Sequence, residues 1–142
     1  MSVHSRKRPI GISLLSAALG WLAIAGFGNA VVWHTVPASM LSQLSGGAAV
    51  VILRQAATPL LSALAFAYGA TALYACVSLW RMRPVAVRAF LWWSLTVVAV
   101  FIFFLVNSPR ELRMASLLMV IVVALFLWAL LRYVLRAVSP SL

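Results

Sequence analysis

The sequence predicts an all-α membrane protein: a four-transmembrane-helix bundle with both termini cytoplasmic and a short interfacial or re-entrant helix between helices one and two. Three observations carry that prediction. The 142 residues are 65% hydrophobic and only 8% charged, against about a quarter charged in an ordinary soluble domain. Four apolar runs are each long enough for the roughly 20 helical residues that cross about 30 Å of hydrocarbon. The basic residues stand in short groups between those runs, where charges orient a chain in a bilayer and touch anionic head groups. Residues 1–142 therefore read as a single membrane domain, with little chain left for a soluble catalytic one.

The first run, 10–33, follows the basic start Ser5-Arg6-Lys7-Arg8. A signal peptide begins the same way, and Gly28-Asn29-Ala30 supplies small residues near a cleavage point. The run is nevertheless longer than the roughly 7–15 residues of a signal core, so a retained first helix is expected. The other spans are read at 58–80, 85–106 and 112–135. Thr58-Pro59 and Ser108-Pro109 each put a capping hydroxyl before a proline at the first helical position, and Pro84 opens the third helix in the same manner. Connections at 81–83 and 107–108 leave no room for a crossover, so helices two, three and four run antiparallel to their sequence neighbours.

The segment 36–55 is a poor span because it holds Pro37, Gly46-Gly47 and several polar residues. Met40, Leu41, Leu44, Ala48, Val51 and Ile52 recur at near-helical spacing opposite Ser42, Gln43, Ser45 and Arg54, the pattern of a helix lying in the interface. The alternative is a re-entrant half-helix broken at Gly46-Gly47, of the kind that lines pores and substrate cavities.

Four spans place Arg6, Lys7, Arg8, Arg81, Arg83, Arg88, Arg132 and Arg136 on one side and Arg54, Arg110 and Arg113 on the other; the positive-inside rule makes the first side cytoplasmic. Eleven Lys and Arg against one acid would suggest nucleic acid if they shared one polar surface. They do not, so no nucleic-acid partner is expected. The preference for Arg over Lys, a compositional association only, hints at a GC-rich bacterial genome, and with four spans the expected location is a bacterial cytoplasmic (inner) membrane, multi-pass.

Glu111 is the only carboxylate side chain. An acid inside a span would be a proton or cation site, but Ser108 and Glu111 have the S-x-x-E spacing of a capping box at a helix start. Small four-helix multidrug exporters carry an essential glutamate in their first span; residues 10–33 contain no acid, so the chain does not resemble them. His34 lies at the predicted outer end of helix one. It reads as an interfacial ring with its polar edge in the head groups, or, with Asn29, as a polar outer-side site. His4, His34, Cys76 and Glu111 are too scattered for metal or bis-His haem ligation, and the single cysteine excludes an internal disulfide. No cofactor is expected. Hydrolytic, phosphoryl-transfer and redox chemistry need convergent groups that this sequence lacks, so no enzymatic activity is expected.

Arg81, Arg88, Arg132 and Arg136 gather near one face of the membrane. They read as snorkelling anchors of helix ends or, with Trp92 one turn deeper than Arg88, as a pocket for an anionic lipid head group or phosphate. Ala63, Ala67, Thr71 and Ala75 on helix two, and Ser16 and Gly20 on helix one, form small-residue stripes that predict close packing of these two helices. Bulky residues cover helices three and four nearly all round and suit lipid contact; Trp92, Trp93, Trp128 and Tyr133 fit an aromatic belt at the cytoplasmic interface.

These features predict a non-catalytic accessory, assembly or scaffold subunit of an inner-membrane complex. Its partners would be membrane lipids and another membrane protein or copies of itself. A small homo-oligomeric transporter or channel, with Asn29, His34 and Gly46-Gly47 near its outer mouth, is the alternative; an anionic-lipid-binding membrane protein is the second. The orientation is checked by reporter fusions after Leu142 in bacterial cells. A fluorescent protein should mature there and alkaline phosphatase should stay inactive; active phosphatase with a dark fluorescent fusion would invert the topology.

Overall fold

A computed structural model describes residues 9–35, 40, 48–108 and 110–138, apart from the side chains of 33 and 48–58. Every regular element among the described residues is helical. Helix α1 spans Ile10–Thr35, α2 Ala48–Trp80, α3 Ala86–Asn107 and α4 Arg113–Val138, the last preceded by a 3₁₀ turn at Arg110–Leu112. Four stretches, Ile10–Val32, Pro59–Trp80, Ala86–Asn107 and Arg110–Val138, are long and apolar enough to cross a membrane, which makes this a multi-pass membrane protein by length and composition. The basic start with His4, and the segment 36–47 with Gly46-Gly47, lie outside the described residues, Met40 excepted.

The helices form an antiparallel meander in which each packs mainly on its chain neighbours, most extensively α1 on α2. That pair is built on one seam. On α1 the buried positions are Ile12, Ser16, Leu19, Ala23, Gly26 and Ala30, alternating steps of four and three, as in a coiled-coil seam. On α2 the facing buried positions Gly69, Ala72, Ala75 and Leu79 are likewise spaced by threes and fours, with Leu61 two four-residue steps before Gly69. At mid-seam the backbones touch: a Cβ added to Gly26 would lie 2.8 Å from both Cα and N of Gly69, and one on Gly69 would lie 3.1 Å from the Phe27 nitrogen. Serine hydroxyls bridge the helices on either side, Ser16 Oγ donating to the Cys76 carbonyl (2.8 Å) and Ser62 Oγ to the Ala30 carbonyl (3.3 Å).

The expected small-residue stripes are only partly used. Ser16 is fully buried, Gly20 faces the Cys76 sulfur and Ala75 is in the core. Ala67 and Thr71 are half-buried and Ala63 is exposed, because a strict four-residue repeat advances about 40° round the helix at each step and leaves a straight contact within three steps. Mixed steps of three and four hold the line, and Gly26 and Gly69 lie on it.

Helix α3 is the third layer. Phe90 and Trp93 stack at 5.3 Å between ring centroids, and Tyr68 of α2 meets Trp93 at 6.3 Å. Trp93, expected beside Trp92 in an interfacial belt, is instead buried, with an indole N–H that has no hydrogen-bond partner among the described residues; Trp92 is exposed. Helix α4 buries only Leu127 and Val134. It reaches α1 where a methyl on Gly11 would overlap the Tyr133 hydroxyl, so the absence of a side chain there admits the tyrosine.

Two boundaries differ from expectation. Helix α2 is continuous from Ala48, so residues 48–55 belong to it and not to a separate interfacial or re-entrant helix, and Pro59 lies inside it. At 33 residues it measures about 50 Å, well beyond the hydrocarbon thickness. Ser108 caps the C-terminus of α3 and does not start α4: its hydroxyl donates to the Phe104 carbonyl at 2.7 Å and lies 3.1 Å from the Ser116 hydroxyl. The reciprocal Ser108–Glu111 cap is not among the hydrogen bonds of the described residues, because the serine bonds back one turn, a competing option open to every hydroxyl at a helix end. The α2–α3 connection is a Schellman turn, with Met82 at φ 49° and bonds from Met82 N to Leu79 O (3.0 Å) and from Arg83 N to Ser78 O (3.1 Å). A left-handed residue there reverses the chain within a few positions.

The crossing predicts a contrast between neighbouring glycines. Gly26→Ala should lower stability by about 1–3 kcal/mol, since backbone cannot yield to a methyl as a side-chain end can. Gly28 has nothing within 4 Å of an added Cβ, so Gly28→Ala should be neutral or stabilising by up to about 1 kcal/mol. Thermal unfolding in detergent followed by circular dichroism reads both; equal effects would remove the crossing as the determinant.

Candidate functional site

The two ends of the bundle differ in chemistry. One end carries Arg81, Arg83, Arg88, Arg132 and Arg136, all exposed. The sole carboxylate side chain, Glu111, is exposed in the 3₁₀ turn at the opposite end beside Arg110 and Arg113.

Packing differs along the same axis. At the arginine-rich end Ile12, Leu19, Leu79, Ala86, Ala89, Phe90 and Val134 are all fully buried. Toward the other end the helices part. A cleft of about 310 Å³ lies among α1, α2 and α3, walled by Leu22, Ala25, Leu61, Ala65, Val100 and Phe101. Its volume is at the lower end of the range of ligand pockets, roughly 300–1,000 Å³. Two polar side chains reach it, Asn29 from α1 and Tyr68 from α2. A second, wider cleft between α1 and α2 is lined by His34, Thr35, Pro59, Ser62, Ala63 and Phe66.

Of the two residues read as a polar outer-side site, Asn29 lines the first cleft and His34 the second. Five residues of helix turn them about 140° apart, which is enough to send them to different faces. Of the hydroxyls in the spans, Ser16 and Ser62 bridge α1 and α2, and Thr71, Ser94 and Thr96 bond back into their own helices, to Ala67, Phe90 and Trp92. Asn107 donates to Phe103. The Asn29 amide, exposed at the cleft well inside α1, has no hydrogen bond among the described residues. Sequence spacing marked Asn29 but not the Tyr68–Trp93 pair beside it; the signal was a Trp-Trp doublet, of which a helix can bury one ring and expose the other.

At the arginine-rich end, the Arg132 guanidinium lies 4.1 Å from the centre of the Trp128 ring, a cation–π contact worth about 0.5–1 kcal/mol at an exposed site. The two residues are one turn apart, as such a stack requires. Trp128 borders a shallow groove between α3 and α4 that also holds Leu91, Leu95, Val98, Ala124 and Leu131. Arg88 is one turn from Leu91 on the same face of α3, as Arg132 is one turn from Trp128 on α4, so both stand at the arginine-rich end of the groove lining. Arg81 stands in the turn after α2 and Arg136 one turn beyond Arg132.

No group of three or more His, Cys, Asp or Glu able to hold a metal ion occurs among the described residues. Cys76 is a free, half-buried thiol that packs against Gly20 and Ser16. Among the described residues the arrangement offers apolar surfaces and the Asn29 amide, and no nucleophile set beside a base. Compared with protein-family models, with curated proteins and with solved structures, the chain finds no match in any of the three.

Proposed function

We propose that this chain is a non-catalytic accessory or assembly subunit of a bacterial inner-membrane complex, with its arginine-rich end in the cytoplasm. The observation that carries the reading is Asn29. A primary amide held within a span without a hydrogen-bond partner costs free energy in hydrocarbon, and polar side chains of this kind join membrane helices to one another. Asn29 stands at a cleft whose other walls are almost wholly apolar and which the chain's own side chains leave open. An apolar helix from a partner, carrying one carbonyl or hydroxyl at the depth of Asn29, satisfies both deficits.

The homo-oligomeric transporter is the weaker reading. Asn29 and His34 face different clefts, and the one carboxylate side chain, Glu111, stands exposed in the first turn of the last span, away from both. A coupling ion would have to find its ligands elsewhere.

The test is purification of the tagged protein from its native membrane in a gentle detergent, with particle mass measured and co-purifying chains identified. A stoichiometric partner is expected. Asn29→Leu and Ala25→Trp, the second filling the cleft from α1, should each lower its recovery at least about tenfold, the loss expected from removing roughly 1.4 kcal/mol of association free energy, while helix content and unfolding temperature stay unchanged. A free monomer, or a homo-oligomer with transport activity of its own, overturns the proposal.

A further inference from the structure

We infer that the α3–α4 groove at the arginine-rich end is a binding site for an anionic phospholipid, with its phosphate between Arg88 and Arg132 and one acyl chain along Leu91, Leu95, Val98 and Ala124. This inference does not depend on the accessory-subunit reading.

Charge is the first argument. Arg81, Arg83, Arg88, Arg132 and Arg136 converge at one end of the bundle, and the only acidic side chain, Glu111, lies at the other end of α4, 21 residues of helix and about 30 Å from Arg132. Among the described residues no acidic side chain neutralises these five guanidiniums, so their counter-charge comes from beyond those residues. At a membrane surface the abundant anions are lipid phosphates, and guanidinium forks bind them through paired hydrogen bonds.

Geometry is the second. Arg132 does not extend freely into water; its guanidinium is held against the Trp128 ring at 4.1 Å, and Trp128 borders the groove. The head-group ligand is thereby placed at the mouth of the chain-binding surface before lipid arrives, which lowers the ordering cost of binding. Behind the mouth the groove has only one polar lining residue, Ser94, and that hydroxyl is already committed to the Phe90 carbonyl at 2.9 Å. Such a lining accepts a hydrocarbon chain and offers nothing to a second polar group. The combination of a fixed cation and an apolar trough fits a diacyl phosphate and not a free inorganic one, which would use the arginines alone.

Native mass spectrometry of the detergent-purified protein titrated with phosphatidylglycerol or phosphatidylcholine of matched chains tests the assignment. Wild-type protein should retain phosphatidylglycerol about tenfold more strongly, and Arg88→Leu/Arg132→Leu should reduce it to the phosphatidylcholine level. Arg88→Lys/Arg132→Lys, which preserves the charge, should recover part of the preference and shows that the leucine variant lost binding and not its fold. Ala124→Trp, which fills the trough, should weaken both lipids. Equal retention of the two lipids by wild type, or unchanged preference in the leucine variant, overturns the inference. So does displacement of bound phosphatidylglycerol by millimolar inorganic phosphate, which would make this a free-anion site.

Discussion

The contact of Gly26 with Gly69 sets the geometry on which the remaining packing depends. Two helix backbones can approach this closely only where neither carries a side chain, and the methyl-to-backbone distance of 2.8 Å at Gly26 leaves no room for one. With the crossing point fixed, Ser16 and Ser62 are brought within hydrogen-bonding distance of carbonyls on the opposite helix. In a bilayer this matters more than it would in water, because lipid is as apolar as leucine and gives helices no hydrophobic reason to associate. Close packing and interhelical hydrogen bonds, averaging about 0.6 kcal/mol each, do that work.

The tight pair also explains why the bundle opens toward one end. Residues small enough to bring α1 and α2 together, Ala25, Gly26 and Ala65, leave little volume to meet α3, while Phe101 of α3 stands across the gap. At the arginine-rich end the same helices present Ile12, Leu19 and Leu79 against Phe90, and that core is filled. A close helix contact and an open cleft are thus two results of one distribution of side-chain volume, large at one end of the seam and small at the other. Asn29 lies on the open side of that division, and Arg88 and Arg132 lie at the filled end, so the two candidate sites are separated along the helices.

Much of the fold was legible because hydropathy over 20 residues is a strong signal and short polar links force antiparallel neighbours. All four apolar runs became helices within a few residues of their expected ends, α2 excepted. The failures share a cause: each depended on a choice between two locally acceptable partners. Ser108 could cap the helix after it or the one before, and took the Phe104 carbonyl. Pro59 could begin a helix or lie within one. Of the Trp92–Trp93 doublet one ring had to face the core, and only three-dimensional packing decided which. Residues 63, 67, 71 and 75 made an obvious repeat, yet the working seam mixes steps of three and four, and Gly26 and Gly69 are inconspicuous in an alanine-rich span. For the candidate sites, the arginines and Asn29 were visible as residue types, while the Arg132–Trp128 stack and the cleft required coordinates.

Cysteine cross-linking in native membranes, on a Cys76→Ala background, distinguishes a closed α1–α2 seam from an open α1–α3 cleft. The pair Ala30→Cys/Ser62→Cys joins positions already linked by a 3.3 Å hydrogen bond, and Ala25→Cys/Val100→Cys spans the cleft. Oxidation should form the first disulfide readily, whereas the second pair should join only through a longer bifunctional reagent. Efficient direct disulfide formation across Ala25 and Val100, with none across Ala30 and Ser62, would contradict the account.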